Sequence, residues 1–321
     1  MSFSEEIKAE LLEQKIENAC CQTILLFTVL KNNGSIEVDW DNNIKIKIRL
    51  FSMAYIRLIG SILKKRYGVS LTSIYKIYDN LSKKDYYQCS IDDNDICLKL
   101  LDELALKKSL FAETPPPDNL ITLLKNPCCA FTFIKSVAAS CGYFQNPSKS
   151  YHFEIRLQEP FLANIIRMLF KTNLKINLKS HIIRGENTIL LYSKSYENLE
   201  KLLGYLGTSQ TYQKLTNIKI IKEIKNTTNR NVNFETANLQ KTASVATTQI
   251  QKIKQFMKSD EFNKLPEILI EAAHLRILNP YMSLIELAEH TEPRTNKSTM
   301  NNRLRRLLKI CDEFVERHKI T

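Results

Sequence analysis

Residues 20–36 read CCQTILLFTVLKNNGSI, and residues 128–144 read CCAFTFIKSVAASCGYF. The two stretches align at Cys20/Cys128, Cys21/Cys129, Val29/Val137 and Gly34/Gly142. So few identities are thin evidence alone. What strengthens them is that the same order of elements follows each copy. After the first comes a hairpin, SIEVDW then NIKIKIRL, turning at Asp41, Asn42 and Asn43, with Ile44, Ile46 and Ile48 on one strand face. After the second comes YFQNPSKSYHFEIRL, turning at Asn146 and Pro147. A helical stretch follows each hairpin, MAYIRLIGSILKKRYG against PFLANIIRMLFKTN. Then comes a second strand pair, VSLTSIYKIYDN and DYYQCSI against LKINLKSHIIRG and TILLYSK. A short helix closes each copy, NDICLKLLDELA against YENLEKLLGYLG. The pattern predicts an αββαββα unit built twice, over about 1–105 and 125–213, with a Pro-rich linker at 113–119. Pro115, Pro116 and Pro117 forbid regular structure there.

With 321 residues the chain exceeds one core, and at about 100–200 residues per domain it calls for two or three. Its 44% hydrophobic and 25% charged content is that of a soluble globular protein and excludes disorder and collagen-like structure. The net charge of +12 points to a polyanionic partner only if it is localised. It is: residues 214–260 carry nine Lys and Arg against three acids, and 294–319 carry eight against three. The 213 residues before them carry 27 against 22, which is close to balance.

Beyond residue 213 the sequence is polar and basic, rich in Thr and Gln, and reads as a basic linker and helix over 214–260, the helix from about 236 to 258. Residues 261–321 read as three helices. Pro266 suits the first turn of PEILIEAAHLRIL, which Asn279 and Pro280 end. SLIELAEHT opens with a Ser283/Glu286 capping box and sets Leu284, Leu287 and Ala288 on one face. EPRTNK, containing Arg294, turns the chain into STMNNRLRRLLKICDEFVERH. Short helix, turn, basic helix is the helix-turn-helix pattern.

At about 100° per residue, Met300, Leu304, Leu307, Leu308 and Cys311 of the last helix share one face. Ser298, Asn302, Arg305, Arg306 and Lys309 lie opposite, with Thr299 nearby and Asn301 and Arg303 on the flanks; Lys297, just before them, joins them as a candidate DNA contact. That face holds donors and no acid. Arg addresses guanine N7 and O6 in pairs, Asn addresses adenine, and Lys and hydroxyls suit phosphates. An ordinary surface helix interleaves Glu, which here is delayed to Glu313 and Glu316.

Other chemistries find little support. The eight cysteines (20, 21, 89, 97, 128, 129, 141 and 311) include no CxxC pair and read as small buried hydrophobes in a reducing cytosol. The five histidines are scattered, and none pairs with a Cys or acid at ligand spacing. Seven glycines leave no nucleotide-binding loop, and no catalytic residue, metal or cofactor is expected. Ser2 and Glu5 cap an amphipathic SEEIKAELLEQK where a secretory signal would be, and CCQTILLFTVL is far short of the ~20 residues of a membrane span. The reading is of a cytoplasmic, nucleoid-associated protein.

The duplicated unit, entered by an apolar helix ending in Gly, resembles the fold of the LAGLIDADG homing endonucleases. The resemblance implies a metal-binding acid just before each terminal Gly. Those positions are Asn33 and Cys141 here, and neither supplies a carboxylate. The glycines themselves are expected to take a left-handed turn out of the helix. TNRNVNFETANLQKT (228–242), NKSTMNNRLRRL (296–307) and SKSYHFEI (148–155) are similar to the domain junction, recognition helix and second hairpin of the WhiA family of bacterial sporulation and cell-division regulators. MSFSEEIKAEL and both CysCys helices fit as well; Cys141, where that family has a small residue, departs from it.

The fold expected is therefore α+β: a duplicated αββαββα LAGLIDADG-like domain over 1–213 and an all-α helix-turn-helix domain. The family resemblance implies a role in transcription, cell division and chromosome segregation, without nuclease activity, and double-stranded DNA as partner. Arg230, Asn233 and Lys241 face DNA or cap the linker helix; Glu235 beside them makes an ion pair equally natural. Two other readings stay open: a metal-dependent LAGLIDADG-type endonuclease, and a protein-docking platform on the charge-balanced N-terminal domain. The oligomeric state is not readable.

Overall fold

The computed structural model describes residues 1–79, 84–106, 118–183 and 188–318. Pro115, Pro116 and Pro117 lie outside the described residues. By its internal contacts the chain divides into Met1–Ile221 and Lys222–Thr321.

The N-terminal unit opens with α1 (Phe3–Glu13), where Ser2 and Glu5 form the expected capping box. The first repeat follows: α2 (Ala19–Asn33), β1 (Gly34–Val38), β2 (Ile44–Leu50), α3 (Met53–Tyr67), β3 (Thr72–Asp79), β4 (Lys84–Ile91) and α4 (Asn94–Glu103). After α5 (Asp118–Leu123), the second runs α6 (Pro127–Cys141), β5 (Gly142–Phe144), β6 (Phe153–Leu157), α7 (Pro160–Leu169), β7 (Lys179–Ile183), β8 (Thr188–Ser193) and α8 (Tyr196–Leu206). The order is αββαββα twice, as the repeat predicts. The sheets are ordered alike, β1-β2-β4-β3 and β5-β6-β8-β7, with antiparallel neighbours throughout. Gly34 pairs with Ile48 in one and Gly142 with Ile155 in the other.

Helices α2 and α6 pack along each other at the centre. Both are apolar nearly all round, so burial favours them as an inner layer. Their buried hydroxyls are satisfied within the helix: Thr28 donates to the Ile24 carbonyl at 2.7 Å and Ser136 to the Thr132 carbonyl at 2.7 Å. Side-chain alternation along β2 sends Ile46, Ile48 and Leu50 into this core and leaves Lys45, Lys47 and Arg49 on the other face.

Gly34 and Gly142 differ from expectation. Both are extended, with φ of −92° and −76°, so no left-handed turn calls for glycine. The reason is space: a Cβ would sit 2.4 Å from the Leu30 carbonyl oxygen at Gly34 and 2.4 Å from that of Ala138 at Gly142. The chain leaves each helix so tightly that the last turn's backbone fills the place of a side chain.

Residues 214–235, read as a linker, are helical too. They belong to α9, one helix of 48 residues from Ser209 to Phe256. No Gly or Pro interrupts the sequence from Ser209 to Lys264, and Asn and Thr lower helix propensity by only about 0.7 kcal/mol each. Their polarity reflects exposure, since residues 225–242 are all exposed. The start of α9 is fixed by α1, whose Glu10 carboxylate accepts the Gln210 and Thr211 amides at 2.9 and 2.8 Å.

The C-terminal unit contains α9 from Lys222 on, a single turn at Phe262–Lys264, α10 (Glu267–Leu278), α11 (Leu284–Glu289) and α12 (Lys297–His318). Pro266 is the residue capping α10 and not its first helical position. Ile253, Phe256, Phe262, Ala272, Ala273, Leu287, Ala288, Met300, Leu304, Leu307 and Cys311 form the core. Phe256 packs edge-on against Phe262 and Phe314, which builds the end of α9 into the bundle.

Candidate nucleic-acid interface

Helix α12 starts at an Asn296 cap, whose side-chain oxygen accepts the Thr299 amide at 2.8 Å and its hydroxyl at 3.0 Å. Met300, Leu304, Leu307 and Cys311 are buried against α10 and α11, and Leu308 is half-buried. That packing turns Ser298, Asn302, Arg305, Arg306 and Lys309 to solvent in one acid-free ridge, and Lys297 is exposed to one side of it at the first position of the helix. Lys309 approaches Glu313 only to 3.9 Å, with both side chains exposed, a pair worth little.

Arg303 belongs elsewhere. It is half-buried and donates to Glu271 of α10 at 3.0 Å, and Glu271 also accepts the Glu292 amide at 2.9 Å. Thr299 and Asn301 are partly covered, Thr299 by its role at the cap.

The turn between α11 and α12 is held from inside. Ser283 and Glu286 cap α11 reciprocally, and Leu287 and Ala288 are buried beneath it, with Leu284 half-buried at its start. Buried Thr291 donates to the Ala288 carbonyl at 2.8 Å, and the Thr295 amide donates to the same carbonyl at 3.1 Å. Arg294 is exposed, with its Nε 3.3 Å from the Glu289 carbonyl. Sequence reasoning missed Thr291, because a lone Thr ending a short helix carries no pattern.

Arg230, Asn233 and Lys241 are exposed along α9. Lys241 lines a cleft with Ser283, Lys297 and Asn301, floored by buried Arg276. Arg276 donates to the Met282 carbonyl at 2.8 Å, and burial pulls its pKa down. The structure thus brings Lys241 beside the start of α12, but gives Arg230 and Asn233 no place in that cleft.

Three family models tile the chain: a WhiA N-terminal LAGLIDADG-like domain over residues 19–107, a WhiA LAGLIDADG-like domain over 130–225 and a WhiA C-terminal HTH domain over 228–311. The chain is 32% identical to the protein named "Probable cell division protein WhiA" of Clostridium acetobutylicum, covering 98% of each. It is 31% identical to that of Ruminiclostridium cellulolyticum, covering 99% of this chain and 98% of the relative. The chain belongs to the WhiA family. The crystal structure of full-length WhiA from Thermotoga maritima matches with a TM-score of 0.57 at 25% identity, over 98% of this chain and 99% of the other.

This WhiA-family chain does not fit the metal centre implied by a LAGLIDADG fold. At the ends of α2 and α6, Asn33 offers a neutral amide whose Oδ1 is buried with no partner, and burial raises the Cys141 thiol, which keeps it neutral. A hard divalent ion wants carboxylate oxygens, and neither residue has one.

Around it, the two sheets present different faces. On the first, the Arg49 guanidinium lies 4.6 Å from the Tyr86 ring centre and Gln88 donates to the Tyr75 hydroxyl at 2.6 Å. Lys45, Lys47 and Arg49 share this aromatic face with Glu37, which pairs with Lys47 at 2.5 Å, so the face is mixed in charge. On the second, His152 lies 3.2 Å from buried Glu154, which Arg156 also holds at 2.8 Å. That pair corrects the reading of His152 as unpartnered: it stands two residues before Glu154, just ahead of β6, and reaches the same carboxylate as Arg156.

Proposed function

We propose that this chain is a sequence-specific DNA-binding transcription regulator that acts in cell division and chromosome segregation, as a non-catalytic cytoplasmic protein at the nucleoid. The observation that carries this reading is the exposed ridge of α12, where Asn302, Arg305 and Arg306 present base-reading donors. Lys297, Ser298 and Lys309 flank them as phosphate ligands, and Lys241 extends the positive surface along the neighbouring cleft. The name of its relatives, probable cell division protein, supports the cell-division role.

The deciding experiment is immunoprecipitation of the protein with its chromosomal DNA, followed by binding titrations on the recovered sites with Arg305→Ala and Arg306→Ala. Enrichment of discrete sites that both variants lose supports the reading, and uniform coverage of the chromosome sinks it. For the nuclease alternative, supercoiled plasmid incubated with Mg²⁺ is expected to stay intact, and cleavage abolished by a chelator would revive it.

A further inference from the structure

We propose that Cys20, Cys21, Cys128 and Cys129 form a closed tetrathiolate site for one zinc ion where α2 and α6 begin. The cysteine pairs, distant in sequence, meet because the two helices run side by side with their first turns together. All four sulfurs lie within 4.8 Å of one another, with Cys20 and Cys21 at 4.0 Å and Cys128 and Cys129 at 3.9 Å. A tetrahedral ion bound at about 2.3 Å sets its sulfurs about 3.8 Å apart, so the site closes on zinc by shifts of about 1 Å or less. A disulfide needs sulfurs at about 2.05 Å. An iron–sulfur cluster interposes sulfides and spreads its thiolates further apart.

Exposure argues against mere packing. Cys21 and Cys129 are buried, as apolar fillers would be, but Cys128 is exposed and Cys20 half-exposed, which gives an ion a path in. Buried Cys89, Cys97 and Cys311 have no such company among the described residues. The helix ends favour thiolates, against burial that pushes the Cys21 and Cys129 thiols up. Each pair occupies the second and third positions of its helix, and Asn18 and Asn126 place no side-chain cap on either end, so the dipoles of both helices meet the sulfurs. Lys135, buried on α6, lines the same cleft as Cys21 and Cys128 and brings a cation toward a complex of net charge −2.

Four thiols bind Zn²⁺ by releasing four protons, with no change of oxidation state. With four protein ligands there is no open position, so the ion is structural. It ties the two repeats together at the end of α2 and α6 opposite Asn33 and Cys141, about 20 Å away at 1.5 Å per residue.

The test uses the full chain, expressed with zinc supplied and purified under reductant without chelator. Metal analysis is expected to find about one zinc per chain, and cobalt replacing it to give sulfur-to-cobalt charge-transfer bands with the visible bands of a tetrahedral four-thiolate ion. Cys128→Ser, at an exposed position that leaves the helices intact by circular dichroism, is expected to shift the cobalt bands and weaken zinc binding. The loss should be no smaller than the roughly 10–100-fold seen for outer-shell partners. Cys141→Ser is expected to keep the ion. The proposal is overturned by chain free of zinc that shows no cobalt–thiolate bands on titration, by unchanged affinity in Cys128→Ser, or by a disulfide among these four cysteines in protein isolated under reductant.

Discussion

Arg303 reaches back from α12 to Glu271 of α10, Nη1 to Oε2 at 3.0 Å, with 13% and 28% of the two side chains exposed. The carboxylate also holds the Glu292 amide, so one acid joins α10, the turn and α12. Arg303→Ala leaves that carboxylate half-covered without its cation. We expect it to lower stability by about 1–3 kcal/mol, the range for hydrogen bonds to charged groups, read as a lower urea midpoint. The salt dependence of DNA binding should stay as in the parent. A flatter salt slope with unchanged stability would mean Arg303 releases Glu271 and binds a phosphate.

The exposed arginines should behave differently from the exposed lysine. Arg305→Ala or Arg306→Ala is expected to cost about 1–3 kcal/mol on a chromosomal target and almost nothing on random DNA. Lys309→Ala is expected to weaken both alike and reduce the salt slope by about 1. Anisotropy titrations at several salt concentrations on both DNAs separate the two patterns. Equal losses on both DNAs for all three variants would leave α12 a phosphate-binding helix without base readout.

Much of this was legible in the sequence because helical and strand periods fix a face without knowing the partner. The burial of Met300, Leu304, Leu307 and Cys311, and the exposure opposite, follow from 100° steps alone. What the period cannot show is a partner from another element. Arg303 sits on the flank of the donor face, and only the position of α10 brings Glu271 to it. The two cysteine pairs likewise read as filler because they have no ligand spacing along the chain, and the meeting of α2 and α6 brings them together in space. The length of α9 is hidden for another reason: its polar composition reads as a linker, although the absence of Gly and Pro is the stronger signal.

Gly34 and Gly142 offer a test of the tight exits from the central helices. Gly34→Ala drives a Cβ to 2.4 Å from a carbonyl oxygen in the backbone, which no rotamer relieves, and should destabilise by about 3 kcal/mol or more. Gly68, which ends α3 at a φ of +74° in open space, is the comparison. Gly68→Ala meets only the left-handed penalty of about 1–2 kcal/mol. Urea unfolding of the three proteins should rank Gly34→Ala below Gly68→Ala and Gly68→Ala below the parent. Equal losses would show that α2 shifts to admit the methyl group.

Lys135 gives a pH dependence whose sign follows from its burial. Its ammonium donates to the Gln14 carbonyl at 3.0 Å inside the N-terminal unit, and desolvation pulls its pKa down to about 8. The unfolded chain keeps that proton up to the ordinary lysine range near 10.4, so between pH 8 and about 10.4 it binds more protons than the folded chain. Stability from this group therefore rises with pH. The penalty for burying the cation is fully present below pH 8 and is relieved as pH climbs toward 10, by at most about 3 kcal/mol. Lys135→Met has no such proton to lose. The stability difference between parent and variant, measured by urea unfolding with chelator present, should move in the parent's favour by about 2–3 kcal/mol from pH 7 to pH 10. A difference that stays flat across that range would mean the ammonium finds water in the folded protein, and the cleft beside Cys21 and Cys128 would then be wetter than its geometry indicates.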